Sequence, residues 1–179
     1  MDIKNLDLKL RKEIAKPLNG MELMKKLDFK PNIITYDNIH LYKDLDELLG
    51  ESKACILLYL TKHNYGHWCC VYENDNGHII FFDSYGFIPD DQLNFISKQL
   101  RKELRQEHRI LTKLLYKSNK PVEYNEYKLQ EEKEYISTCG RWVIVRLQYK
   151  NISIDNFANL FLENKDIIKP DVLITILTN

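Results

Sequence analysis

Apolar residues recur along this chain in two rhythms, three or four positions apart and in short unbroken runs, and these rhythms divide it into helices and strands. Leu6, Leu10 and Ile14 fall at helical spacing over residues 2–15, and Pro17 with Asn19-Gly20 then punctuates the chain before a short helix over Met21–Leu27. Residues 1–30 therefore read as an N-terminal helical arm. A helix near Asp44–Leu49 meets a stop at Gly50, and Ala54–Leu60, apolar throughout and of strand length, fits a central strand. His67–Glu73 and His78–Ser84 are strand-like, and the turn signal Asn74-Asp75-Asn76-Gly77 between them predicts a β-hairpin whose two ends carry His67 and Asp83.

Farther along, Leu93, Ile96, Leu100 and Leu104 predict an amphipathic helix over Asp90–Leu104, and residues 109–124 are expected to contain a strand ended by Pro121. Ser137-Thr138 looks like an N-cap for a buried helix that Cys139 opens. Ser153 can cap a helix over Ile154–Glu163, and Pro170 suits the start of a last helix or strand. The expected class is α+β, a central mixed sheet flanked by helices, in one domain over residues 1–179 without internal repeats.

Composition narrows the function classes. With 44% hydrophobic and 29% charged residues and no low-complexity tract, the chain is expected to be globular. Lys plus Arg and Asp plus Glu balance at 26 each, so no global field draws it to nucleic acid or membrane. No apolar run approaches the ~20 residues of a membrane span, and the first residues are too charged for a secretory signal. Cys55, Cys69, Cys70 and Cys139 show no framework spacing, so free thiols in a reducing compartment are expected.

The chemistry centres on Cys139. A thiol attacks a carbonyl carbon as its thiolate, and a helix N-terminus beside an imidazole favours that form. Gly140 leaves room for a substrate backbone, and the amides of the first helical turn, which have no partner inside the helix, can bind an oxyanion. Taken alone, Cys139 is ordinarily a small buried hydrophobe. His67 follows the loop His63-Asn64-Tyr65-Gly66, and Asp83 on the neighbouring strand can hold its ring in one tautomer. Gln130 can donate its side-chain amide to the oxyanion, although each of these three is also an ordinary surface or turn residue.

Their joint order is more specific. Gly66-His67-Trp68, then Ile79-Ile80-Phe81-Phe82-Asp83-Ser84-Tyr85-Gly86-Phe87, then Gln130, then Ser137-Thr138-Cys139-Gly140-Arg141-Trp142 resembles the adenain and SUMO-specific protease superfamily of cysteine peptidases over about residues 54–150. The aromatic-rich Asp83 segment looks most like its viral maturation branch. The resemblance implies a papain-like fold with His67 as base, Asp83 as its orienting partner, Gln130 in the oxyanion hole and Cys139 as nucleophile. It also implies cleavage of viral structural precursors after small or Gly-containing sites, in host cytoplasm, virus factory or virion. A monomer that needs no cofactor is expected, with DNA or a peptide as a conceivable activator. One departure stands out: nine positions separate Gln130 from Cys139, more than the superfamily's usual six or seven.

Two further signals carry less. His63, His67, Cys69 and Cys70 hold zinc-type donors, but adjacent strand residues point to opposite faces, so zinc is set aside. Cys69 or Cys70 should face the core, as should Cys55, while Trp68 and Trp142 read as packing residues. Between Lys98 and Lys120 eight Lys or Arg face only Glu103 and Glu107, an excess of six positive charges. A solvated helix face with those glutamates in local pairs is the plain reading, and weak DNA binding is the alternative. Removal of ubiquitin-like modifiers, acyl transfer by the same thiol, and an inactive binding module remain open beside the peptidase.

Overall fold

The computed structural model describes residues 6–179, so residues 2–5 of the expected first helix lie outside it. Helices α1 (Leu8–Ala15) and α2 (Gly20–Lys25) form the arm. Asn19 and Glu22 close a reciprocal capping box on α2, satisfying two backbone amides at that helix end. The chain then enters β1 (Asn32–Thr35), a 3-10 helix (Tyr36–Leu41) and α3 (Leu45–Leu49), which Asp44 caps and Gly50 ends. Strands β2 (Ala54–Lys62), β3 (Tyr65–Glu73) and β4 (Ile79–Phe82) are antiparallel neighbours, and β1 and β5 (Val122–Tyr124) add parallel edges in the order β1-β2-β3-β4-β5. The fold is α+β, with a mixed five-stranded sheet flanked by helices.

Both faces of the sheet are covered, which is why β2 reads as an unbroken apolar run. On one face Ile56, Leu58, Trp68, Cys70 and Phe82 pack against α6 (Cys139–Gln148) and α7 (Ile154–Leu162). On the other, Leu57, Tyr59, Cys69, Val71 and Phe81 meet α3 and α5 (Ile110–Lys117). Cys69 and Cys70 thus point opposite ways, and both are buried. The last helix, α8 (Pro170–Leu177), docks on α1 and α6.

Two expectations need correction. Residues 109–124 do contain a strand, but it is β5, which follows Pro121 and is not ended by it, and the chain before it is helical over Ile110–Lys117, because Leu111, Leu114 and Leu115 recur at helical spacing and face the core. The helix over Asp90–Leu104 splits into a 3-10 helix (Asp91–Phe95) and α4 (Lys98–Glu103), with Ser97 as a fresh N-cap. Asp90, buried in a left-handed conformation, opens the 3-10 helix and accepts hydrogen bonds from Tyr36, Tyr59 and Thr112. Strand β1 lacked an expectation altogether.

The local geometry that aims His67 is set at the β2–β3 end. The pairing slips between Leu60 and Lys62, and Gln106 takes up the Leu60 backbone groups that the slip exposes. There β2 comes so close to β3 that a Cβ on Gly66 would lie 1.9 Å from the Tyr59 carbonyl oxygen. Only glycine permits this approach, and the next residue is His67.

Candidate active site

His67 sits on β3 and Asp83 just past the end of β4, so antiparallel pairing brings them together from 16 positions apart. Nε2 of His67 lies 2.9 Å from Oδ1 of Asp83. The carboxylate is wholly buried and fully engaged: Oδ1 also accepts from the Tyr85 amide at 2.7 Å, and Oδ2 accepts from Gln92 Nε2 at 3.0 Å and the Cys69 thiol at 3.4 Å. The Tyr85 ring stacks on the His67 ring, centroids 4.4 Å apart. These contacts leave the imidazole little freedom to turn.

Cys139 is the first residue of α6 and faces the same cleft as the His67 ring. Thr138 occupies the N-cap, but its side chain does not cap the helix; its hydroxyl donates to Asp171 instead. The first amides of α6 are therefore left for another acceptor. Gly140 serves packing and not substrate: a Cβ there would meet Leu23 at 3.1 Å, Leu18 at 3.3 Å and Trp68 at 3.4 Å. Trp68 in turn donates its indole N–H to the Leu18 carbonyl at 2.9 Å, tying the arm to the site.

Gln130 is buried beside this pair despite the long connection to Cys139. The Ser84 hydroxyl donates to its Oε1 at 2.8 Å, which turns Nε2 toward the Tyr85 hydroxyl at 3.3 Å. Cys139, His67, Gln130 and Gln92 line one cleft of about 450 Å³, walled by Pro17–Gly20 and Asn64–Trp68.

His67 and Asp83 shift each other's protonation. Burial of the His67 ring disfavours its charged form, but the Asp83 carboxylate outweighs this and raises the pKa well above the ordinary imidazole value. Burial likewise opposes the Asp83 charge, and the attraction and hydrogen bond of His67 overcome it, holding that carboxyl below its usual range. A histidine with a raised folded pKa adds stability that is lost as pH rises through that value; an aspartate with a lowered one adds stability that is lost as pH falls through it. The pair thus stabilises the fold most between the two. Asp83→Asn removes the chief raising influence and leaves burial, so the His67 titration moves to lower pH, which ring-nitrogen NMR reads; an unmoved titration refutes the coupling.

The side chains that hold this geometry were only partly marked in the sequence. Gln92, Ser84 and Tyr85 support Asp83 and Gln130, yet polar residues after a strand carry no such signal. The zinc-type set also changes: His63 is exposed, and His67, Cys69 and Asp83 instead bring their donor atoms within 4.8 Å of one another as mutual hydrogen-bond partners. On α4 and α5 the expected pairing of Glu103 and Glu107 fails: Glu103 accepts from Gln99, and among the described residues the ion pairs of this region join Arg109 to Asp91 and Lys120 to Asp46 and Glu73. No described helix is long and apolar enough to cross a membrane.

No protein-family model matches the chain. Uncharacterized protein V9 of Sputnik virophage is 37% identical over 174 residues, spanning 96% of this chain and 98% of that protein. Among solved structures, the central domain of an uncharacterized Legionella pneumophila protein aligns over 91% of this chain and 96% of its own, at 10% identity and a TM-score of 0.44. SUMO protease Ulp1, with its catalytic cysteine oxidized to a sulfinic acid, aligns over 97% and 83%, at 16% identity and a TM-score of 0.39.

Proposed function

We propose that this chain, which belongs to the same family as protein V9 of Sputnik virophage, is a cysteine endopeptidase working through a thioester acyl-enzyme. The observation that carries this reading is His67, held by Asp83 on Nε2, in one cleft with Cys139 at an uncapped helix start and with Gln130. Nε2 is committed to Asp83, so Nδ1 is the nitrogen left to exchange a proton with the thiol.

In the proposed reaction the Cys139 sulfur attacks the scissile carbonyl carbon and its proton passes to His67. Collapse of the tetrahedral adduct breaks the C–N bond as His67 protonates the leaving amine. Water, deprotonated by His67, then cleaves the thioester and restores the thiol. The Cys139 amide and Gln130 Nε2 stabilise the oxyanion in both steps. This chemistry draws on no metal or organic cofactor.

Viral structural precursors are the proposed substrates, with small residues at the cleavage site; a virophage relative supports the viral setting. The test is co-expression with capsid and other virion precursors from the same genome, followed by mapping of new N-termini. Precursors left intact beside the wild-type chain sink the maturation role. Weak DNA retention through the Lys98–Lys120 face is part of the proposal, and retention that does not fall with salt removes it.

A further inference from the structure

We propose that Asp171, which has no place in the reaction itself, is the positioning residue that fixes Gln130 and Cys139 against each other across the loop between them. This rests on the peptidase reading above. The loop is a liability: residues 131–138 form no helix or strand, and residues 132–135 are exposed. Misplacing a catalytic group by ~1 Å can cost ~10²-fold in rate, so a donor at one end of a free loop would be of little use to a thiol at the other.

Asp171 closes that loop at both ends. It lies in the first turn of α8 and is 1% exposed. Its Oδ2 accepts from the Glu131 amide, next to Gln130, at 2.9 Å. Its Oδ1 accepts from the Thr138 hydroxyl, next to Cys139, and from Trp142 Nε1 on α6 at 3.1 Å. A group with two acceptor oxygens is required, because donors approach from both sides and none has another acceptor role to offer except Thr138. A structural carboxylate would be satisfied by any three donors; this one selects the two residues flanking the proposed oxyanion donor and nucleophile.

The chemistry allows one side of the clamp to be cut alone. In Asp171→Asn the single oxygen keeps the Thr138 and Trp142 donors, since an amide turned the other way would set N–H against the Trp142 N–H. The new amide N–H₂ then faces the Glu131 N–H, donor against donor, and the Gln130 side is released. Alkylation by iodoacetamide needs the thiolate but no oxyanion donor, whereas acylation by p-nitrophenyl acetate needs both.

The experiment measures both rates on the full chain. Asp171→Asn is expected to slow the acylation burst about tenfold while Cys139 alkylates at the wild-type rate with an unchanged pH profile, and to add nothing in a Gln130→Ala background. The proposal is overturned by wild-type acylation in Asp171→Asn, by equal loss of acylation and alkylation, or by additive effects with Gln130→Ala. A wild-type chain without any burst overturns the peptidase reading and this proposal with it; a bursting wild type matched by the variant overturns this proposal alone.

Discussion

Cys139→Ala is expected to abolish precursor cleavage and the acylation burst together, a loss on the order of 10⁶-fold in turnover, as when the nucleophile of a comparable acyl-transfer enzyme is removed. The fold should hardly notice. The thiol is small and 8% exposed, the alanine Cβ occupies the same position, and the hydrogen bond that begins α6 runs from the Trp142 amide to the Thr138 carbonyl. Loss of a buried sulfur costs about 1 kcal/mol. The remaining thiols cannot substitute, because Cys55, Cys69 and Cys70 are buried in the sheet and burial pushes each of their pKa values up. Mass spectrometry after a pulse of p-nitrophenyl acetate gives a direct readout, an acetyl adduct on Cys139 in wild type and none in the variant. A variant that still cleaves or still bursts refutes Cys139 as nucleophile.

How far such a site can be read from sequence depends on what holds each part. The Cys139 helix, the hairpin and the placement of His67 and Asp83 at its ends were legible because periodicity, a turn signal and strand register are local or nearly so. Gln130 was legible only through resemblance, since a loop glutamine carries no pattern of its own. What turns it toward the cleft is Ser84, 46 positions away, and what closes its loop is Asp171, 40 positions from Glu131. Contacts of that span leave no trace in spacing. The split at Ile96 is set by Ser97, which caps α4 anew inside an apolar spacing that runs on to Leu104, whereas the helix over Ile110–Lys117 follows the local spacing of Leu111, Leu114 and Leu115.

His67→Ala should produce two separable losses. Without a base the thiol proton has no acceptor and the leaving amine no donor, so cleavage falls by about 10²–10⁴-fold. Independently, Asp83 keeps Gln92, Cys69 and the Tyr85 amide but loses its counter-charge in a fully buried position, a change that typically destabilises by about 3–5 kcal/mol. The sign of its pH dependence follows from what remains. Burial now dominates and raises the Asp83 pKa, so the destabilisation is greatest at neutral pH and shrinks as the pH falls and the carboxyl takes up a proton. His67→Ala/Asp83→Asn leaves no unpaired charge at this position and should regain stability by thermal or urea unfolding while remaining as inactive as the single variant. Recovery of cleavage along with stability would mean that the histidine serves only to neutralise Asp83, and the base would have to be sought elsewhere in the cleft.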